Sequence, residues 1–87
     1  LFLNTKDLTN HGFINSLYSM NIKANKISNY GGIASTNTEN NNSNMTIEVD
    51  DFRNYNTIYS DNNINLYIKD NLLNETNKDY VSGLDYA

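Results

Sequence analysis

The stretch Leu8-Thr9-Asn10-His11-Gly12-Phe13-Ile14-Asn15-Ser16 returns as Ile27-Ser28-Asn29-Tyr30-Gly31-Gly32-Ile33-Ala34-Ser35. It returns again as Phe52-Arg53-Asn54-Tyr55-Asn56-Thr57-Ile58-Tyr59-Ser60, and Leu72-Leu73-Asn74 opens a fourth copy. The copies align on Asn10, Asn29, Asn54 and Asn74. An apolar residue precedes each of these by two positions. Ile14, Ile33 and Ile58 follow the first three by four, and Ser16, Ser35 and Ser60 follow by six. A period of about 20 residues marks a solenoid, in which stacked copies share one continuous core.

Upstream of each Asn lies an apolar–polar–apolar triplet. Its first two apolar members are Leu1/Leu3, Met20/Ile22, Met45/Ile47 and Ile64/Leu66. The third position holds Thr5, Ala24, Val49 or Ile68. Alternation of this kind is strand periodicity, with successive side chains on opposite faces. No window carries a capped stripe of apolar residues at helical spacing. Strands that recur without crossover helices stack directly, about 4.8 Å apart. The fold expected is therefore all-β, a solenoid of about four directly stacked coils. The coils run 1–19, 20–44, 45–63 and 64–76, with a polar loop at 36–44 in the second and one extra residue near Asn71 in the fourth. Residues 77–87 read as a degenerate last coil or a tail, since Thr76 replaces the turn glycine and Lys78 stands where Ile is expected.

The composition suits a stack better than a compact globule. Gly and the usual apolar residues make up about a third of the 87 residues, against about 45–50% in ordinary globular chains. Such a chain builds a weak isolated core, a limit that stacking relieves. Nineteen residues are Asn, and Pro, Cys and Trp are missing. Without Cys there is no disulfide framework and no thiolate metal site. The net charge of −4 argues against nucleic acid or an anionic membrane as partner. No stretch is apolar enough to span a bilayer. The chain opens inside the pattern at Leu1 and reads as a piece of a longer protein.

Each column of the repeat has a physical use. Gly12, Gly31 and Asn56 read as the turn column, because Gly and Asn reach positive φ at low cost. Asn10, Asn29, Asn54 and Asn74 read as an amide ladder between coils. Ile14, Ile33 and Ile58 read as a core column. Lys23 over Glu48 is a candidate cross-strand pair. Asp7, Lys26, Asp51 and Asp70 form an outward column in which Asp50, Asp51 and Asp70 are the nearest approach to a cation site, without calcium-loop spacing. His11 shares a turn position with Tyr30 and Tyr55 and lacks a catalytic companion. Tyr30, Tyr55, Tyr59 and Tyr67 are candidates for an exposed aromatic strip. No catalytic, cofactor-binding or metal-binding residue is expected.

The three nine-residue segments resemble the L-x-N-x-G-x-I-x-S core of filamentous-haemagglutinin repeats. Asn21-Ile22-Lys23-Ala24 and Asn65-Leu66-Tyr67-Ile68 are similar to the strand that follows in those repeats. The resemblance covers about residues 1–74. It implies a right-handed parallel β-helix from a large exoprotein of a two-partner secretion system, either an adhesin or the stick of a contact-dependent growth-inhibition toxin. It further implies export by an outer-membrane transporter partner, display at the bacterial surface or secretion, and a host or neighbouring-cell surface protein or glycan as ligand. Neither the secretion-recognition domain nor the toxin domain of such exoproteins has a counterpart in these residues.

The function expected is a non-catalytic structural or adhesive segment. A polysaccharide lyase or hydrolase on the same scaffold is the alternative, and Asp50, Asp51, Asp70 and Arg53 are the cluster it would use. A small polar binding module that merely contains repeats is the third.

Overall fold

Ten-residue runs such as Met45-Thr46-Ile47-Glu48-Val49 onward alternate apolar and polar side chains, and the chain extends wherever they do. The computed structural model describes residues 1–36 and 44–75, and the backbone of Val81–Tyr86. Eight strands follow in order: β1 (Phe2–Asn4), β2 (Asp7–Asn10), β3 (Phe13–Ser16), β4 (Met20–Asn29), β5 (Gly32–Ser35), β6 (Met45–Asn54), β7 (Thr57–Asn74) and β8 (Val81–Tyr86). They form one sheet in the order β1-β4-β6-β7-β5-β3, with β2 also beside β4 and β8 beside β7. The pairings between these strands are all parallel. The sheet curls strongly into a half-barrel, and no helix occurs among the described residues.

Register follows the sequence repeat. Leu3 pairs with Ile22, Ile22 with Ile47, and Ile47 with Leu66. Leu8, Ile27, Phe52 and Leu72 make a second column. Ile14, Ile33, Ile58 and the backbone of Val81 make a third on the opposite wall of the curl. A one-residue slip would turn every inward side chain outward, so the apolar alternation itself locks this register.

The core lies inside the curl. Met20, Ile22, Ile27, Ile33, Met45, Ile47, Phe52, Ile58, Ile64 and Leu66 are all buried. Leu3, Leu8 and Ile14 occupy the same inward columns but are only partly buried. They belong to the first copy, which has a neighbour on one side only. Ile68 and Leu72, in the fourth copy, are likewise less covered than Val49 and Phe52 beneath them. Each buried Leu, Ile or Phe side chain contributes roughly 1.5–3 kcal/mol, so the middle two copies carry most of the apolar stabilisation.

Two irregularities interrupt the stack. Between Val49↔Ile68 and Asp51↔Asn71 the register shifts by one residue. This β-bulge absorbs the extra residue of the fourth copy. Asp51 therefore lies beside Asn71, and the expected column of Asp51 over Asp70 does not form. The second irregularity is in β8, whose pairing to β7 shifts between Tyr59↔Ser82 and Ile64↔Leu84. The repeat is thus resumed by Val81 at the level of Ile58, and Leu84 stands beside Ile64. The readings placed on Thr76 and Lys78, and on the loop residues 37–43, fall outside the described residues.

Candidate functional site

The aligned asparagines end their strands with side chains turned into the curl. Asn10 Nδ2 donates to Asn29 Oδ1 at 2.8 Å, Asn29 Nδ2 to Asn54 Oδ1 at 2.8 Å, and Asn54 Nδ2 to Asn74 Oδ1 at 2.9 Å. The same amides donate to the carbonyl two residues on: Gly12 O at 3.2 Å, Gly31 O at 3.1 Å and Asn56 O at 3.0 Å. Asn10 and Asn29 also reach the next layer's backbone, at Gly32 O (3.1 Å) and Thr57 O (3.0 Å). Asn29 and Asn54 are essentially inaccessible to solvent. A buried amide must find partners for its donors and acceptor, and the stack supplies them from its own repeat. The ladder runs one way, each amide donating to the next copy.

The turn that follows differs from the sequence expectation. Neither Gly12 nor Gly31 has a left-handed φ. Glycine is required at position 31 for another reason: a Cβ there would lie 1.9 Å from Gly12 O. The turns of the first and second copies approach too closely for a side chain at position 31. Gly12 has no such neighbour. Asn56 fills the same column in the third copy, and its Nδ2 donates to Tyr30 O at 3.1 Å. Beside this column His11, Tyr30 and Tyr55 stack nearly parallel, with ring centroids 4.8 Å apart at both steps. That distance is the spacing of neighbouring strands, so the rings stack because the backbone does.

The serine column caps the next corner. Ser35 Oγ donates to Tyr18 O at 2.7 Å, and Ser16 Oγ accepts from the Tyr18 amide at 3.3 Å. Ser60 Oγ accepts from the Asn62 amide at 3.2 Å. These hydroxyls serve local backbone turns, a use that suits Ser where a chain changes direction.

The four tyrosines do not form one strip. Tyr30 and Tyr55 belong to the ring stack. Tyr59 lies beside Ala34 and donates to Asp61. Tyr67 lies beside Glu48 on the outer face. Asp51 sits 3.4 Å from Arg53. The Asp51 carboxylate, by hydrogen bond and by charge, holds the Arg53 guanidinium above its ordinary range, with Tyr55 adding to the effect. Asp50, Asp51, Asp70 and Arg53 therefore resolve into one surface ion pair and two separate acids. Among the described residues no group of three or more His, Asp or Glu is placed to hold a metal ion.

One hollow has no signature in the repeat. The outward column Asn4, Lys23, Glu48 and Tyr67 runs across four neighbouring strands. It borders a crease where pairing lapses: β1 gives way to β2, Asn25 and Lys26 both donate to Lys6 O (2.8 and 3.0 Å), and β7 bulges. The depression has a volume of about 260 Å³. Lys23 and Glu48 are register neighbours, yet no ion pair joins them, and Asp50 and Lys69 beside them have no ion-pair partner among the described residues. The alternating pattern places Lys23, Glu48 and Tyr67 outward, but only the position of the crease makes a hollow of them.

No family model, no curated protein and no solved structure matches the chain.

Proposed function

We propose that this chain is a non-catalytic segment of a right-handed parallel β-helix. In this proposal it belongs to the stalk or adhesive shaft of a large haemagglutinin-like exoprotein, secreted or displayed at a bacterial surface. The observation that carries the proposal is the amide ladder, which links four copies of one sequence pattern at one structural position. A shaft needs units that each mate with the next, and this ladder supplies such a join at every copy. The in-register apolar columns supply the second. The L-x-N-x-G-x-I-x-S resemblance gives the setting: an outer-membrane transporter as export partner, and a surface protein or glycan of a host or neighbouring cell as ligand.

Removing residues 45–63 tests the architecture. The ladder can re-form between Asn29 and Asn74, so a stack keeps its β circular dichroism and a cooperative, weaker unfolding transition. A chain that collapses on this deletion is a compact domain and the proposal fails. The setting is tested on intact producing cells with an antibody to this chain and with external protease. An antigen found only inside the cell refutes surface display.

A further inference from the structure

The geometry points to the outer crease beside Tyr67 as a binding site for a neutral oligosaccharide. Five features lead there. The first is shape: the hollow of about 260 Å³ is concave and crosses the strands instead of following one of them. A ligand lying in it runs along the stacking direction, past Asn4, Lys23, Glu48 and Tyr67 in turn. Sugar rings in an extended glycan advance by about one strand spacing, so each ring would meet one layer.

The second feature is unused hydrogen-bonding capacity. Among the described residues Lys23, Glu48, Asp50 and Lys69 have no side-chain partner, and neither do the side chains of Asn4 and Asn25. Together they offer ammonium donors, carboxylate acceptors and amides carrying both. Sugar hydroxyls both donate and accept, and a mixed wall of this kind satisfies them.

The third feature is charge. Lys23 and Lys69 balance Glu48 and Asp50, so the crease is neutral, inside a chain of net charge −4. An acidic polysaccharide would meet two carboxylates in the hollow and an unfavourable overall field. The fourth is the apolar platform. Tyr67 is 48% exposed, and its ring face can cover the apolar face of a sugar while its hydroxyl stays wet. The fifth is support. The column spans all four copies, and at its centre Ile22, Ile47, Val49 and Leu66 are buried behind the outward side chains, so the wall is backed by the packed core.

The inference needs the four-layer column and not secretion or further repeats. A failed repeat deletion therefore leaves it standing, and failed binding leaves the solenoid proposal standing. The test is a titration of the ¹⁵N-labelled full chain with cellohexaose and chitohexaose, both neutral, and with hexagalacturonate, which is anionic. At least one neutral hexasaccharide is expected to shift the amides of residues 4, 23–25, 48–50 and 67–69. Tyr67→Ala should weaken that binding about tenfold with unchanged circular dichroism, and Glu48→Gln should weaken it by a smaller factor. Tyr30→Ala, in the distant ring stack, should bind as the native chain does. The site is overturned if neither neutral sugar shifts those amides, if hexagalacturonate binds as tightly as the better neutral sugar, or if Tyr67→Ala binds unchanged.

Discussion

Replacing Asn29 by Asp changes one atom of the ladder and reverses its electrostatics. Asn29 Nδ2 faces three acceptors: Asn54 Oδ1 at 2.8 Å, Thr57 O at 3.0 Å and Gly31 O at 3.1 Å. Its Oδ1 accepts from Asn10 Nδ2 at 2.8 Å and from the Gly31 amide at 3.3 Å. An ionised carboxylate would aim a charged oxygen at those three acceptors in a fully buried place. Truncation to Ala sets the scale. Two ladder bonds, the donation shared between the Thr57 and Gly31 carbonyls and the longer bond from the Gly31 amide are lost, at up to roughly 1 kcal/mol each, for about 3–4 kcal/mol in all. The Asp variant should cost at least as much at pH 7. A protonated carboxyl can still donate one bond, so the native fold holds the new proton more tightly than the unfolded chain, whose carboxyl titrates near the ordinary value of about 3.9. With the folded pKa raised, the variant's deficit against the native chain is small below pH ~4 and grows as pH rises through the folded value. Urea unfolding followed by circular dichroism at pH 3.5 and pH 7 measures it, each variant against the native chain at the same pH. Asn21→Asp, on an exposed position of β4, is the control and should cost within about 0.5 kcal/mol. Asn74→Ala, at the exposed end of the ladder, loses one interlayer bond and should cost about 1 kcal/mol. A pH-independent deficit for Asn29→Asp, or an equal cost for Asn29→Ala and Asn74→Ala, refutes the ladder as a source of stability.

The two turn glycines give a paired test. Gly31→Ala forces a Cβ against Gly12 O and should cost about 3 kcal/mol, whereas Gly12→Ala, with open space, should stay within about 0.5 kcal/mol in the same urea assay. Ile33→Ala, fully buried, should cost about 2–5 kcal/mol, and Ile14→Ala in the half-covered first copy clearly less. Equal costs would mean that the first copy is covered in solution. Tyr30→Ala removes both contacts of the ring stack and should cost about 1–3 kcal/mol at 0.5–1.5 per pair, with loss of the near-ultraviolet tyrosine signal. An unchanged spectrum would place the rings apart.

The parts of the fold legible in the sequence are those fixed by period. The triplets, the aligned asparagines and Ile14/Ile33/Ile58 stand at constant spacing, and their strands stand in that register. What escaped depends on local backbone geometry. Ile68 and Leu72 anchor the fourth copy on both sides of its extra residue, and the apolar pattern does not say which of the residues between them bulges. Equal counting therefore put Asp70 beside Asp51, where Asn71 stands. The repeat marks Gly31 as a turn residue that needs positive φ, but its constraint comes from the preceding copy's carbonyl and exists only once the strands are paired. The crease was invisible for a related reason. Alternation tells which side chains face outward, and not where the sheet bends beneath them. One signal for β8 stands in the sequence itself: Leu84 follows Asn74 by ten residues, as Met20 follows Asn10 and Ile64 follows Asn54.

The distribution of length changes follows from where hydrogen bonds fix the chain. From Asn to the Ile of the opposite wall the first three copies keep one count, because the Asn amide must reach both its own turn carbonyl and the next layer's backbone. An added residue there would break the bonds on both sides of the turn. Between Ser35 and Met45 the second copy carries six extra residues, and the pairing on either side stays intact: β5 ends at Ser35 and β6 begins at Met45, each in register with its neighbours. The single extra residue of the fourth copy falls at the crease, where β1 and β2 already part and where a bulge disturbs least. Past Asn74 the chain takes longer to reach the level of Ile58, then reaches the level of Ile64 sooner, so that Leu84 arrives at the usual count. A stack conserves the length of what is tied across layers and lets the rest vary. In this chain the tied part is the short run from each of the first three asparagines to the Ile of the opposite wall.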